Sequence, residues 1–376
     1  MRIVYVVPGG VDPPDGERVI PFVHHLVRSM AARHEVAVVA VGHDAEPGEW
    51  TLFGAPVVNV PVGTHSKADI ARVLAAVPRA VGRLGRPDVV HGLWANLPGL
   101  AATATGRRFG APTVVSVCGG ELAAVSSIEY GGGLRRGTRQ LTLAALRAAS
   151  EVTVATEWMQ RHVAAAGGRI GEVVPLGADL AHCSPGDATT QPHHLVHVAG
   201  LNRVKDQDLL LHAVALAAEA EPQLTLGIAG GDTLDGHHRR LAQKLGVAER
   251  VTFHGHVAHD RLAEVVRGAA LHVLTSHHDA GPIAVLEAAA CGVPTVGTAV
   301  GHVADLAALP EPGAVAVPSR DPAVLAAAMV ALLRDRPRRD ALAHSAQRWA
   351  EQHDADFTAD CFDVLYRRLI TRPDTA

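Results

Sequence analysis

Short apolar runs alternate along this chain with longer amphipathic stretches, and that alternation sets the expected fold class. Residues 3–7 are continuously apolar, the pattern of a parallel strand buried on both faces. A Gly/Pro/Asp loop over 8–16 follows. A predicted helix over 19–32 comes next, with Pro21 in its first turn, where a proline is tolerated. His34 and Glu35 lead straight into a second strand over 36–41. Strand, glycine loop, helix and strand together make a unit of the nucleotide-handling type. The pattern continues with strands over 57–60, 88–91, 113–117 and 152–155 and helices near 67–84, 97–109 and 138–149. A polar stretch with prolines at each end, 184–192, is the best linker in the chain. The alternation then restarts, with strands over 194–198, 224–229, 251–254, 271–274 and 295–297 and helices near 207–218, 237–245 and 261–268. From Asp321 onward the tail reads as helical, and its last amphipathic segment covers about 357–370. At 376 residues the chain exceeds one ordinary core. The expectation is an α/β protein of two Rossmann-like parallel-sheet domains, with a ligand in the cleft between them at the carboxyl ends of the strands.

Residues 276–294, SHHDAGPIAVLEAAACGVP, concentrate the candidate chemistry. Asp279 and the Gly281-Pro282 pair precede a short apolar helix that carries Glu287 and is stopped by Gly292 and Pro294. Pro282 suits the first helical position, where its missing N–H costs nothing. The N–H groups of Gly281, Ile283 and Ala284 would then point out of the helix start, a natural place for an anion. Glu287 lies roughly 7–8 Å further along the axis, at about 1.5 Å per residue. Two carboxylates flanking a helix N-terminus can grip separate hydroxyl-bearing parts of a long anionic ligand such as a nucleotide-sugar.

Composition narrows the partners. Aromatics make up only 3% of the chain, too few for base-stacking platforms, and the net charge of −4 gives no nucleic-acid footprint. Lys67, Lys205 and Lys244 are the only lysines beside many arginines, which makes a well-placed lysine notable. Cys118, Cys183, Cys291 and Cys361 are far apart in sequence and form no CxxC pair, so a reduced, cytoplasmic protein with free thiols is expected. The apolar start is broken by Pro8-Gly9-Gly10, too early for a signal-peptide core, and no apolar run is long enough to span a membrane. Neither Gly9-Gly10 nor the loop at Gly200 completes GxGxxG, and no P-loop is present, which disfavours nicotinamide chemistry. Doubled histidines at 24–25, 193–194, 237–238 and 277–278 suggest metal ligands, but no HExxH or His/Cys spacing supports them. Neither a metal nor a cofactor is expected.

Several motifs fall in a telling order. Asp279 and Glu287 take the two acid places of an E-x7-E signature. Residues 198–206, VAGLNRVKD, follow the first strand of the second half. PDVVH at 87–91, VPLGAD at 174–179, VTFHGHV at 251–257 and CGVPTV at 291–296 complete the set. On these residues nearly the whole chain resembles a retaining glycosyltransferase of the large bacterial group 1/family 4 class, with the GT-B architecture. The resemblance implies an acceptor-side domain over 1–185, rejoined by a C-terminal helix of about 355–376 that packs back on it. The donor-side domain would cover 186–354.

The resemblance also implies roles. Lys205 matches the family lysine on the donor diphosphate; the family arginine falls on Gly200, and Arg203 is the candidate substitute. Glu287 would hold the nucleoside ribose, while Asp279, Gly281, Pro282 and Ile283 would orient the sugar and its phosphates. Gly16, with Asp15, lies near the family's glycine loop under the diphosphate. Cys118-Gly119-Gly120-Glu121 stands where relatives often carry His-Gly-x-Asp, so Glu121 keeps a carboxylate for sugar or acceptor. Asp279 is one methylene shorter than the family glutamate.

Plainer readings stand beside these. Lys205 would be an exposed loop lysine, Asp279 a turn acid, Glu121 a salt-bridged acid, and Gly16 a turn residue. Glu287 sits on so apolar a helix that leaving it unpaired would cost several kcal/mol, so its partner is either ribose or a structural arginine. His278 is a candidate cleft residue. Arg135, Arg136 and Arg139 would meet an anionic acceptor or the inner membrane surface, or simply stay solvated. The expected function is metal-independent transfer of a sugar from a nucleoside-diphosphate sugar to a glycan, lipid-linked or small-molecule acceptor, with retention. The rivals are a non-catalytic nucleotide-sugar binder or assembly subunit, and a GT-B epimerase or hydrolase.

Overall fold

The computed structural model describes residues 1–14, 16, 18–63, 66–186 and 190–371. Its contacts divide the chain into two compact units: Met1–Leu176 with the segment from Ala355 onward, and Gly177–Asp354. Both crossings lie between residues that pack tightly. A Cβ on Gly177 would sit 2.2 Å from the His353 carbonyl oxygen, so the chain enters and leaves the second unit at one point. The first crossing therefore precedes the polar stretch 184–192, of which 187–189 lie outside the described residues.

The first unit runs β1 (Arg2–Val7), α1 (Pro21–Ala31), β2 (Glu35–Val41), β3 (Gly48–Leu52), β4 (Ala55–Val60), α2 (Lys67–Leu84), β5 (Val89–Leu93), α3 (Leu97–Phe109), β6 (Thr113–Val117), α4 (Arg136–Ala148), β7 (Glu151–Val154), α5 (Glu157–Ala165) and β8 (Glu172–Val173). The sheet order is β3-β4-β2-β1-β5-β6-β7-β8, parallel except for the β3–β4 pair. Strand order reverses between β1 and β5, which pair directly. Pro21 opens α1, where its fixed φ suits a helix start. Ser66 and Asp69 close a reciprocal capping box on α2. Of the β3–β4 hairpin, β4 was expected over 57–60, whereas β3 escaped the apolar pattern because it is half exposed. The hairpin's two-residue turn uses Phe53 and Gly54 in the left-handed region, at φ 51° and 81°.

The C-terminal helix Ala355–Thr371 returns to this unit. Phe362, Leu365, Tyr366 and Leu369 bury among Tyr5, Val7, Val89 and Leu93; residues 372–376 lie outside the described residues. The helix also completes a buried polar chain across three neighbouring strands, β5, β6 and β7. Tyr366 Oη meets His91 Nδ1 at 2.6 Å, His91 Nε2 meets Ser116 Oγ at 2.7 Å, and Ser116 Oγ meets Thr153 Oγ1 at 2.6 Å. Burial pushes His91 down to about 3, so the ring is neutral and shares one proton donor along the chain.

The second unit runs β9 (His194–Val198), α6 (Gln207–Ala220), β10 (Thr225–Ala229), α7 (His237–Lys244), β11 (Val251–Gly255), α8 (Leu262–Val266), β12 (Leu271–Leu274), α9 (Ile283–Ala290), β13 (Thr295–Thr298), α10 (Gly301–Ala307), β14 (Ala314–Val317), α11 (Pro322–Arg334) and α12 (Arg336–Gln352). Its sheet is fully parallel, in the order β11-β10-β9-β12-β13-β14. That is the doubly wound order, with its reversal between β9 and β12. Strands β8 and β14 and helices α5 and α10 were not anticipated from sequence, because each is short. The α/β class with two Rossmann-like parallel sheets is therefore observed, and each unit has its own buried core.

Replacing Tyr366 by Phe keeps the ring but leaves His91 Nδ1 without its partner in a dry site. Denaturant unfolding of Tyr366→Phe beside the parent should show a loss of about 1–3 kcal/mol, the cost of one buried unsatisfied polar group. An unchanged midpoint would mean that the chain contributes nothing to stability.

Candidate functional site

In a doubly wound sheet the loops that leave two adjacent strands of opposite winding diverge and open a crevice at their carboxyl ends. In the second unit those loops are 199–206 after β9 and 275–282 after β12. They carry most of the residues singled out from sequence. Two backbone acceptors of the first loop hold the second in place: Thr275 Oγ1 donates to the Lys205 carbonyl at 2.8 Å, and the His277 N–H donates to the Val204 carbonyl at 2.8 Å.

Lys205 and Asp279, 74 positions apart, meet across this junction with Nζ 2.5 Å from Oδ2. Both side chains are largely but not fully covered. Lys205 is set by its own loop, whose Asn202 side chain accepts its N–H at 3.1 Å. The next residue, Asp206, takes the left-handed conformation at φ 48° and caps α6 through the Leu209 N–H. Arg320, from the loop after β14, donates to the carbonyls of Thr275 and Ser276 and pairs with the Asp206 carboxylate. Burial pulls the Arg320 pKa below its ordinary value. His277 also faces Asp206, at 3.3 Å. The result is two opposite-charge pairs side by side, Lys205–Asp279 and Arg320–Asp206, on consecutive loops.

Pro282 is the N-cap of α9, not its first helical residue, because its ψ of 100° is extended. The helix begins at Ile283, so the exposed start shifts by one position. The Val285 N–H bonds back to the Pro282 carbonyl, whereas those of Gly281, Ile283 and Ala284 have no hydrogen-bond partner among the described residues. Gly301 fixes this turn from behind. It lies at φ 49°, and a Cβ there would stand 2.5 Å from Pro282 Cδ and 2.6 Å from the Asp279 carbonyl oxygen. The neighbouring His302 is buried, is held down to about 4 by desolvation, and feels the Asp279 charge.

Glu287 lies buried on the same helix, and its partner is neither of those anticipated. His259 Nε2 meets Glu287 Oε1 at 2.7 Å. Burial alone would lower the His259 pKa, but the Glu287 carboxylate, with Asp179 and Asp260, outweighs it and raises the value. His182 packs edge-on against His259, with ring centroids 5.7 Å apart. Cys183 neighbours Cys291 at the C-terminal end of α9, so two thiols 108 positions apart in sequence are adjacent in the fold.

The remaining residues fall elsewhere. Arg203 is exposed at the tip of its loop and makes no side-chain hydrogen bond or ion pair among the described residues. Gly200 has room for a side chain, since a Cβ would find nothing closer than 3.8 Å. His278 is buried beside Asp279 in the chain. In the first unit, Gly16 closes a turn onto the Pro13 carbonyl at 2.8 Å, with its Cβ direction blocked by Asp12 at 2.4 Å. Asp15 lies outside the described residues. Glu121 is buried, and both of its oxygens are engaged by backbone. Oε1 accepts from Ala95 at 3.0 Å and Cys118 at 3.1 Å, and Oε2 accepts from Gly119 at 2.7 Å. Desolvation raises its pKa against those bonds. Glu121 thus joins the loops after β5 and β6. Arg135, Arg136 and Arg139 are exposed at the start of α4, and Arg139 donates to the Ala166 carbonyl at 2.7 Å. Sequence reasoning missed His259, Gly301 and Arg320. Only Gly301 left a trace, as a glycine between an apolar strand and a helix.

Comparison with known proteins bears on the whole chain. The family model of glycosyl transferases group 1 matches residues 186–349, and that of the glycosyl transferase 4-like domain matches residues 19–178. A D-inositol 3-phosphate glycosyltransferase of Rhodococcus jostii is 31% identical over 366 residues, covering 89% of this chain and 80% of that relative. Among solved structures, sucrose-phosphate synthase from Thermosynechococcus elongatus superposes with a TM-score of 0.80 at 19% identity, covering 98% of this chain and 99% of that one. Anabaena HepE in complex with UDP-glucose gives 0.74 at 18% identity, covering 98% and 100%. These likenesses show the GT-B fold.

Two outcomes follow from the geometry. A Gly301→Ala variant must move the 279–282 turn or leave its left-handed backbone, so it should fold yet lose at least ~10-fold in ligand affinity at this site, read by calorimetry. The second concerns the His259–Glu287 pair. A raised histidine value means the pair stabilises the fold fully below about pH 6.5, the unfolded value, and is lost as pH rises through the folded one. Proton NMR should therefore find His259 titrating above the usual histidine range, and lower in Glu287→Gln. A parent His259 titrating at or below pH 6.5 would contradict the pairing.

Proposed function

The chain belongs to the group 1 glycosyl transferases, and from that premise we propose that it moves a sugar from a nucleoside-diphosphate sugar to an acceptor with retention of anomeric configuration. The observation that carries this reading is the Lys205–Asp279 pair beside the open N–H groups of Gly281, Ile283 and Ala284. Breaking the sugar–phosphate bond leaves negative charge on a diphosphate, and the physical task is to stabilise that charge in place. A lysine ammonium already placed by the Asp279 carboxylate, beside a helix N-terminus fixed by backbone, supplies that stabilisation.

A diphosphate entering this site competes with Asp279 for the Lys205 ammonium. Taking over that contact releases the Asp279 carboxylate to accept hydrogen bonds from sugar hydroxyls, so one exchange of partners couples donor binding to sugar orientation. Glu287, on α9 and ion-paired with His259, offers its remaining oxygen to the ribose. Arg203 and Arg320 are the guanidinium groups on the flanking loops, and Gly200 leaves space where a longer side chain would stand. With phosphate charge met by protein cations, the transfer needs neither a protein nucleophile nor a metal at the reacting atoms. Glu121 and Gly16, on the other unit, act through backbone: Glu121 fixes the Ala95 and Cys118–Gly119 amides, and Gly16 the turn after β1.

UDP-sugars are the first donors to test, because HepE was crystallised with UDP and with UDP-glucose. The relatives' name makes a cyclitol phosphate the first acceptor. Incubating pure protein with UDP-, GDP- and ADP-sugars, with and without acceptor, should give nucleotide release that depends on acceptor. Binding without release would indicate a non-catalytic binder, and release without acceptor a hydrolase. Lys205→Ala and Glu287→Ala should each cut transfer at least ~10²-fold, the scale of one lost electrostatic contact to the transition state. Retained turnover in either would overturn the assignment of that residue.

A further inference from the structure

A second cluster of polar side chains lies outside the residues assigned above. Asp208 stands in the first turn of α6, and His237 and His238 open α7. His237 Nε2 lies 2.8 and 3.1 Å from the two Asp208 oxygens, and His238 Nε2 lies 3.3 Å from Oδ1. The potential ligand atoms of all three residues lie within 4.8 Å of one another. A tetrahedral zinc ion with bonds near 2.0–2.1 Å separates its ligand atoms by roughly 3.3 Å. The spacings to Asp208, 2.8 to 3.3 Å, need widen by no more than about 0.5 Å to reach that separation. Asp208 and His237 are about half exposed, which gives an ion an entry path, whereas His238 is buried and its ring fixed.

We propose that Asp208, His237 and His238 bind a divalent cation of the zinc class, with water completing the shell. Two imidazoles and one carboxylate suit Zn²⁺, Co²⁺ or Ni²⁺ and not Mg²⁺ or Ca²⁺, which want oxygen ligands. The Asp232 carboxylate, which accepts the Leu234 and Gly236 N–H groups just before α7 at 2.8 Å each, adds negative charge near His238 and favours a cation there. The site's place in the fold defines its role. Between β10 and α7 runs the glycine-rich loop 230–236, which pairs with the loop bearing Lys205. Leu201 N–H donates to Gly231 at 2.8 Å, Thr233 N–H to Leu201 at 3.1 Å, and Thr233 Oγ1 to Leu201 at 2.7 Å. An ion joining α6 to α7 clips that loop down and so steadies the Lys205 loop beside it. The ion is structural and stands apart from the transfer chemistry, which uses other carboxylates.

The untagged full chain, stripped with chelator, is titrated with Co²⁺ alone and followed by its visible d–d absorption and by amide hydrogen exchange. One equivalent should bind, be displaced by Zn²⁺, and slow exchange across 230–236. Asp208→Asn and His237→Ala, both at accessible positions, should each weaken binding at least ~10-fold. Lys205→Ala should leave it unchanged. Absence of a d–d band at one equivalent, or affinity unchanged from the parent in both ligand variants, would overturn the site. Cobalt uptake without slower exchange would overturn the clip.

Discussion

The ion pair between Lys205 and Asp279 depends on strand order. The two residues lie 74 positions apart and meet because β9 and β12 are hydrogen-bonded neighbours whose connections leave in opposite directions. Thr275 and His277 then lock the two loops through backbone acceptors of Val204 and Lys205. Once these contacts exist, the start of α9 is fixed, Gly301 is confined to a glycine, and Arg320 is drawn in to neutralise Asp206. The chemistry of the site is a consequence of a sheet closing in one order.

The carboxylates of the two units show how burial changes what an acid does. Asp279 remains partly open and keeps an exchangeable partner. Glu287 is buried, and it pairs with an imidazole whose pKa its charge raises. Glu121 is buried too but meets no cation among the described residues; three amide N–H groups favour its charge, and burial still shifts its pKa upward. Of the three, the first is the most open to solvent. The second is a hybrid, with one oxygen committed, and the third is committed on both. A shared residue type and a shared motif context do not make them equivalent.

The C-terminal helix plays the matching part in the first unit. Its apolar face supplies Phe362, Leu365 and Tyr366 to a core that begins at residue 3, and its one phenol ends the polar chain through His91, Ser116 and Thr153. The chain leaves this unit once and returns at an adjacent point, where Gly177 lies on the backbone of His353 and Asp354.

The sequence by itself determined the α/β class, most of the strands, and the residue types on the loops after β9 and β12. Apolar runs, glycines and prolines are local signals, and they survive any folding context. Lys205, Asp279 and Glu287 were legible because motif and composition marked them. Their partners were not. His259, Arg320 and Gly301 come from segments distant in sequence, and nothing local in those segments encodes what they meet. The same holds for Cys183 beside Cys291, which spacing had kept apart, and for His237 and His238, which gain meaning only when α7 brings them to Asp208. Pro282 is the one local reading that the backbone changed, moving from first helical residue to cap because the Gly301 contact and an extended ψ place the turn one residue later. Tertiary structure decided the pairings because a pair energy depends on distance, and distance between remote segments is set by the sheet, not by the chain.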